Sequence, residues 1–331
     1  MKVLVTGATG FLGQKLAYRL ANLGYEVTAI GRNKQIGQKL EESGIAFIAC
    51  SLEEKEPIIS ACKGKDYVFH SGALSSPWGK YKDFYNSNVI GTRNIIEGSK
   101  QADVKRLIHV STPSIYFYYD ERLDVKEHDM IPKQLVNHYA HTKYLAEQEI
   151  DKAFQEGLST ITIRPRALFG PGDNAILPRL INVCQKGVFP KIGDGEVLID
   201  ITYVENVVDA LLLCMNSSEQ TLGQKYNITN GVRVNLYNII EEVMQLLGKE
   251  FRYRNISFKQ AFTLASIMEG ISKTILFGKE PILTKYTVSV LSKSQTLNID
   301  KAKNELGYIP QVSIEEGIQN FVKWWEENEN K

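Results

Sequence analysis

Tyr139 and Lys143 stand four residues apart in Tyr139-Ala140-His141-Thr142-Lys143, so on a helix they share one face. A tyrosine hydroxyl titrates near pH 10 and is a poor base at neutral pH. A neighbouring ammonium favours the phenolate and lowers that pKa. Such a pair suits the transfer of a proton to or from an alcohol oxygen. The spacing alone is as readily a surface pair, so it gains meaning only from company. Ser111-Thr112-Pro113-Ser114 ends an apolar run over 106–111. In a doubly wound sheet, ligands bind at the carboxyl ends of strands. A hydroxyl there can hold a reacting oxygen, although turn capping is an equally available use.

The third group is Thr6-Gly7-Ala8-Thr9-Gly10-Phe11-Leu12-Gly13. Gly7, Gly10 and Gly13 form GxxGxxG between a strand pattern and a helical one. The first glycine permits a tight turn, the second lets a pyrophosphate approach the backbone, and the third lets helix pack on strand. The helix start then offers free N–H groups and a positive dipole end to phosphates. A ligand-free glycine turn is the plainer use, but the strand–turn–helix setting favours a dinucleotide.

Positioning these groups takes strands alternating with helices. Apolar runs at 2–6, 26–31, 46–50, 67–71, 106–111 and 160–164 read as strands, and 11–23, 88–102 and 138–155 as helices. The alternation implies βαβ units and a parallel sheet. Runs such as VLV, YVF and LIHV suit strands buried on both faces. After Arg164-Pro165 the rhythm loosens. Gly170-Pro171-Gly172-Asp173 marks a loop; 174–186, 205–215 and 235–247 read as helices, and 197–204 and 225–228 as strands. We expect a dinucleotide-binding domain over 1–165 and a smaller lobe over 166–331, with segments near 199–230 interleaved into the first.

The 331 residues carry 39 Lys+Arg against 38 Asp+Glu, a formal charge of +1. That balance gives no reason to expect nucleic acid or an anionic membrane as the main partner. With no long uncharged apolar run and no signal-peptide pattern, a cytoplasmic protein without a membrane span is expected. Cys50, Cys62, Cys184 and Cys214 form no CxxC pair, and the histidines form no HExxH, so no metal is expected. The cysteines read as small buried hydrophobes.

Together the motifs resemble the extended short-chain dehydrogenases/reductases over almost the whole chain. TGATGFLG resembles that family's cofactor fingerprint, STPSIY its active-site strand end and YAHTK its catalytic YxxxK. The family's hydroxyl four residues before a Tyr maps onto Thr112, before Tyr116, with Ser111 as fallback. His70-Ser71-Gly72-Ala73 resembles the segment under the nicotinamide ribose. Asn88-Val89-Ile90-Gly91-Thr92 resembles the NxxGT helix start. Arg164-Pro165 and Phe169-Gly170-Pro171-Gly172 resemble the element bordering the nicotinamide.

The resemblance implies a Rossmann-type α/β fold, a doubly wound parallel sheet with a smaller C-terminal substrate-binding lobe. Tyr139 is then the general acid/base, Lys143 lowers its pKa and holds the nicotinamide ribose, Thr112 orients the substrate oxygen, and Asn88 supports a proton relay. Gly7, Thr9, Gly10, Phe11, Leu12, Gly13, Arg32, Ser71, Gly72, Ala73, Tyr139, Lys143 and Pro165 are the implied cofactor contacts. A homodimer through the helices near 88–102 and 138–155 is implied as well.

Within the family, the chain is most similar to 3β-hydroxysteroid dehydrogenase-like and 2-alkyl-3-oxoalkanoate reductase-like members. The likeness rests on SSPWGKYKDFY (75–85), GPGDNAILPRLI (170–181), IDITYVENVVDALLL (199–213) and LGYIP (306–310). Nucleotide-sugar epimerases carry an Arg directly before the Asp that is Asp200 here; this chain has Ile199. Arg suits bidentate phosphate contacts, so its absence weakens a sugar-nucleotide reading. The acidic residue that ends the second strand in NAD-specific members is Gly31 here, followed by Arg32, which favours NADP(H) with NAD(H) as the second choice. The Asp-Leu pair near adenine is Ser51-Leu52.

The expected activity is NAD(P)-dependent interconversion of a hydroxyl and a ketone on an apolar small molecule. The alternatives are a nucleotide-sugar 4-epimerase or dehydratase, and a redox-sensing binding protein, which would have no need of Thr112, Tyr139 and Lys143. Over 257–277, Phe258, Ala261, Phe262, Ala265, Met268, Ile271, Ile275 and Leu276 recur at helical spacing. That face either packs on the small lobe or forms a lid or lipid-facing surface. His138 and His141 read as surface positions, and Trp324-Trp325 as an anchor for the last helix.

Overall fold

The computed structural model describes residues 1–275 and 279–329. The chain opens with β1 (Lys2–Thr6), α1 (Phe11–Asn22), β2 (Glu26–Gly31), α2 (Lys34–Glu42), β3 (Ala46–Ala49), α3 (Lys55–Cys62) and β4 (Tyr67–His70). A short α4 (Tyr81–Phe84) passes through a π-turn, Tyr85–Ile90, into α5 (Gly91–Gln101) and β5 (Arg106–Val110). A 3-10 turn, Pro113–Tyr116, leads to β6 (Arg122–Val125), α6 (His138–Gln155) and β7 (Thr160–Pro165). There follow β8 (Leu168–Phe169), α7 (Leu177–Cys184), β9 (Val188–Ile192), β10 (Leu198–Asp200), β11 (Thr202–Tyr203), α8 (Val204–Asn216) and β12 (Lys225–Ile228). The rest is β13 (Arg233–Asn235), α9 (Leu236–Leu246), β14 (Arg252–Ile256), α10 (Phe258–Thr274), α11 (Lys285–Val290), β15 (Gln295–Leu297), α12 (Asp300–Leu306) and α13 (Ile314–Glu329).

Seven strands form one sheet in the order β12-β7-β5-β4-β1-β2-β3, and every pairing is parallel. Alternate residues serve opposite faces. Val3, Val5, Phe69 and Ile108 pack with Leu16 and Leu20 of α1 and Val207 and Leu211 of α8. Leu4, Val68 and Leu107 pack with Ile58 of α3, Ile95 of α5 and Ile150 of α6. The chain leaves β1 toward β2 and β3, then returns to the other side of β1 for β4. That reversal opens a crevice at the carboxyl ends of β1 and β4.

A second core gathers Leu177, Ile181, Phe189, Val197, Tyr237, Ile240, Ala265, Ile318 and Phe321. Beside it, β13-β10-β15-β6 form a four-stranded sheet. The C-terminal half feeds both cores: Val207 of α8, Tyr226 of β12 and Leu306 of α12 join the first. All four cysteines are buried and unpaired. Burial pushes Cys50 and Cys184 up to about 11 and Cys62 and Cys214 up to about 12. Among the described residues no helix is long and apolar enough to cross a membrane.

α10 departs from the face expected of it. Ala261 and Ala265 are buried, but Ile271 and Ile275 are exposed, while Glu269 and Ser272 are buried. Glu269 Oε1 accepts the Lys285 backbone N–H at 2.8 Å, so a carboxylate in a core-facing position closes the start of α11. Leu276 and Phe277 lie outside the described residues. His138 and His141 are exposed and rest against the Tyr81 ring, and Phe321 packs on Trp324 and Trp325.

Candidate active site

The loop after β1 is shaped by backbone against backbone. Gly7 lies at φ +67°, and a Cβ there would sit 2.6 Å from Gly72 Cα, which only glycine avoids. A Cβ on Gly13 would sit 2.3 Å from the Gly7 carbonyl oxygen, so α1 rests directly on the loop. No side chain caps α1 at Gly10, which leaves its amino end and positive dipole facing outward. The opposing turn is tied to β1. Ser71 Oγ donates to the Thr6 carbonyl at 2.6 Å, and Gly72 N–H donates to Thr6 Oγ1 at 3.1 Å. A cradle that admits no Cβ and ends on an uncapped helix fits a dinucleotide pyrophosphate. Phe11 reaches the Gly172 turn. Thr9 fills the space a Cβ on Gly31 would need, at 2.5 Å, and Arg32 beside it is exposed.

α6 carries Tyr139 and Lys143. Asn137 caps it, its Oδ1 accepting the Ala140 N–H at 2.8 Å, which sets the phase of the helix. Thr112 caps the turn after β5: its Oγ1 accepts the Ser114 N–H at 3.1 Å and donates to Ser114 Oγ at 3.0 Å. Tyr139 bonds the side chains of Ser75 and Thr112, which pull its phenol down, but burial outweighs them and raises it above the ordinary tyrosine value. In the protein alone, burial rather than Lys143 sets the direction, opposite to the sequence expectation, because a phenolate in this dry site loses its hydration.

Lys143 is 2% exposed. Its ammonium donates to the Val110 carbonyl at 2.7 Å and lies 3.3 Å from His109 Nε2. Burial pushes Lys143 down to about 8, against the pull of Glu147 one turn on. Glu147 itself is held by Arg164 of β7 through two bonds, Nε at 2.9 Å and Nη2 at 2.5 Å. Arg164 also bonds the Tyr116 hydroxyl, so β7, α6 and the turn after β5 are locked into one arrangement.

Asn88 is 1% exposed. Its Oδ1 accepts the Leu74 N–H at 2.7 Å, and its Nδ2 donates to the Leu74 carbonyl at 3.1 Å and to Thr142 Oγ1 at 3.0 Å. It clasps the segment after β4, and so Ser75, to α6. Ser111 Oγ is buried without a partner among the described residues.

Four further side chains come together here that sequence reading misses. Ser75 lies within a quoted stretch, and Arg166 is the second arginine of Arg164-Pro165-Arg166, so each left a trace. Tyr286 and Gln295 left none, since they come from α11 and β15, far along the chain. Tyr286 packs edge-on against Phe117, ring centroids 5.4 Å apart, and Tyr119 against Phe262 at 5.5 Å. These aromatics join the segment after Thr112 to α10 and α11.

The model of the NAD dependent epimerase/dehydratase family matches residues 3–229. The chain belongs to that family. It is an NAD(P)-dependent oxidoreductase of the extended short-chain dehydrogenase/reductase type. Among its epimerase/dehydratase relatives, the 2-alkyl-3-oxoalkanoate reductase of Stenotrophomonas maltophilia (strain K279a) is 33% identical, over 97% of this chain and 98% of that one. The decarboxylating sterol-4-alpha-carboxylate 3-dehydrogenase of Mus musculus is 30% identical, over 97% and 90%. In fold, the chain is similar to UDP-glucuronic acid 4-epimerase from Bacillus cereus, solved in complex with NAD, with a TM-score of 0.78, 21% identity and coverage of 99% and 97%. These epimerase/dehydratase structures share the parallel central sheet.

Proposed function

We propose that this enzyme interconverts a ketone and a secondary alcohol on an apolar small molecule, with NADP(H) preferred and NAD(H) as the second cofactor. The observation that carries the reading is the Tyr139 hydroxyl, bonded to Thr112 and Ser75 on the helix face that also carries buried Lys143. In ketone reduction Tyr139 gives its proton to the carbonyl oxygen, and in alcohol oxidation it takes that proton back. Thr112 and Ser75 hold the oxygen in line with it. Lys143, fixed by the Val110 carbonyl, steadies the ribose and compensates charge at Tyr139. Asn88 supports the relay by keeping Ser75 and α6 in register. When bound, the dinucleotide supplies or accepts the hydride. Gly7, Thr9, Gly10, Phe11, Leu12, Gly13, Ser71, Gly72, Ala73 and Pro165 are the residues that would hold it.

The NADP(H) preference rests on Gly31 and Arg32. No acidic residue stands in the first turn of α2, so nothing there repels a 2′-phosphate, and exposed Arg32 supplies a cation. An apolar substrate body is supported by the aromatic set of Phe117, Tyr119, Phe262 and Tyr286, and by relatives named for a 2-alkyl-3-oxoalkanoate and a sterol carboxylate, each with a large apolar part. Ile199 is buried in the second core, which disfavours a sugar diphosphate. We also infer a cytoplasmic homodimer through α5 and α6, in keeping with the exposed Tyr81–His138–His141 aromatic group beside them.

NADPH and NADH titrations followed by ketone-dependent oxidation of the bound cofactor test this reading. Wild type should prefer NADPH. A charge-assisted phosphate contact is worth about 1.5–3 kcal/mol, roughly 10–150-fold, so Arg32→Ala should weaken NADPH by that factor and spare NADH. Equal losses would remove the NADP(H) preference. Turnover of UDP-sugars with no response to apolar ketones would replace the reductase by an epimerase.

A further inference from the structure

Two buried N–H groups beside Thr112 and Tyr139 lack an acceptor among the described residues. Arg166 follows Pro165 at the carboxyl end of β7, and Gln295 opens β15. Arg166 Nη1 donates to Gln295 Oε1 at 2.5 Å, which commits the carboxamide oxygen. Gln295 is 2% exposed, and its Nε2 has no acceptor among the described residues; neither has Arg166 Nε. Unpaired buried donors are costly, most of all on a charged group. Asp200, the acid in electrostatic reach of Arg166, spends its Oδ2 on the Leu297 N–H at 2.6 Å and forms no ion pair with Arg166 among the described residues. Arg164 differs: Glu147 takes its Nε and Nη2, and its Nη1 bonds the Tyr116 hydroxyl and the Glu127 carbonyl.

The pair adjoins the reacting centre. β7 lies beside β5, and the Ser111 N–H donates to the Ile163 carbonyl at 2.8 Å, so the ends carrying Thr112 and Arg166 are neighbours. Tyr286 is within electrostatic reach of both Tyr139 and Arg166.

We propose that Arg166 and Gln295 form an anion subsite that takes the carboxylate of an oxo or hydroxy acid, next to the carbon that reacts at Tyr139. The inference rests on the oxidoreductase reading; two relatives are named for an oxoalkanoate and a sterol carboxylate, and what is added here is the pair of side chains that would hold such a carboxylate in this chain. A guanidinium offers fork-like N–H groups to a carboxylate, and Gln295 Nε2 adds another donor. Desolvation holds Arg166 below its ordinary value despite Asp200, so the guanidinium is under-compensated and gains most from an arriving anion. A phosphate presents similar oxygens, but a diphosphate carries more charge than one arginine offsets. Across the sheet Gln295 is paired with Ile199 of β10 on one side and with Arg122 of β6 on the other. Ile199 adds no cation, and Arg122 commits its Nη1 to the Tyr116 and Met130 carbonyls, so the open donors are those of Arg166 and Gln295, which favours the singly charged carboxylate.

The test titrates 3-hydroxydecanoate, its methyl ester and UDP-glucose into NADP⁺-loaded enzyme by calorimetry, with oxidation measured on the same samples. Wild type should bind the acid about 10–100-fold tighter than the ester. Arg166→Gln should erase that margin without weakening the ester. Gln295→Glu keeps the shape of the site and supplies Arg166 with an internal carboxylate, so it should melt higher, lose the acid and keep the ester. Equal wild-type affinity for acid and ester, or a folded Gln295→Glu enzyme that still binds the acid, overturns the subsite. Arg166-dependent binding of UDP-glucose in place of the acid overturns the carboxylate class. Arg166-dependent acid binding without oxidation supports the subsite and fails the oxidoreductase reading.

Discussion

The dinucleotide cradle and the substrate side of the crevice are built in opposite ways. In the cradle, glycines bring main chain against main chain: Gly7 against Gly72, and Gly13 against the Gly7 carbonyl. No side chain there does chemistry, and shape is the whole device. Across the crevice the proposed site is made of side chains, and they come from distant segments: Ser75, Thr112, Tyr139, Arg166, Tyr286 and Gln295. The first construction tolerates no added atom. The second tolerates exchange of atoms but depends on their chemistry. The cradle thus suits a ligand common to the whole family, while the side-chain wall sets what each member acts on.

Removing one oxygen from the chemical side should have the largest effect. Tyr139→Phe keeps the ring and deletes the proposed proton carrier, so turnover should fall by about 10²–10⁴-fold. NADPH affinity and melting temperature should hardly move. Retention of wild-type turnover would sink the mechanism, and loss of NADPH binding would blur the division between the two regions. Adding one carbon to the cradle should do the reverse. Gly13→Ala forces a Cβ to within 2.3 Å of the Gly7 carbonyl oxygen unless the backbone shifts. Local strain costs about 1–3 kcal/mol, read as a lower melting temperature. NADPH should bind at least about tenfold more weakly, because the phosphate seat moves with the loop. Turnover at saturating NADPH should stay within a fewfold. A Gly13→Ala enzyme that binds normally would show that the loop yields at little cost.

What sequence reading captured and missed follows the same division. The cradle is local: strand, glycine turn and helix start lie within residues 2–22, so its pattern is visible in one stretch. The YxxxK face is local too, and the helix expected over 138–155 is α6 itself. Arg166 and Gln295 are 129 positions apart, and only the pairing of β10 with β15 and the end of β7 bring them together. Glu269 is buried although nothing local in the 257–277 stretch marks it so, because its partner, the Lys285 N–H, belongs to another helix. The π-turn at Tyr85–Ile90 sets the position of Asn88, and no spacing rule announced it. The direction of the Tyr139 shift was equally out of reach. A neighbouring lysine is visible in sequence, but the burial that outweighs it is a property of the assembled crevice.

The smallest predicted effect tests how dry that crevice is. The kcat/KM profile reports ionisations of the free enzyme. On the proposed mechanism, ketone reduction needs Tyr139 protonated and Lys143 charged. Burial raises Tyr139 and holds Lys143 at about 8, so both are in the reducing form at neutral pH. As pH rises through about 8, Lys143 loses its proton, and kcat/KM for reduction should fall about twofold between pH 7 and 8. Oxidation should rise over the same range, since it needs Tyr139 to accept a proton. Two histidines lie close by, His109 at 3.3 Å from the Lys143 ammonium and His70 with its ring centroid 5.2 Å from that of His109. Each is buried; His70 is pushed down to about 3 and His109 well below its ordinary value, by desolvation first and the nearby ammonium second. Both stay neutral, so the profile should show no step between pH 5 and 7. A step near pH 6.5 in kcat/KM would mean that water reaches His109. The side-chain wall would then be wetter than its burial implies, and Lys143 would titrate closer to an ordinary lysine.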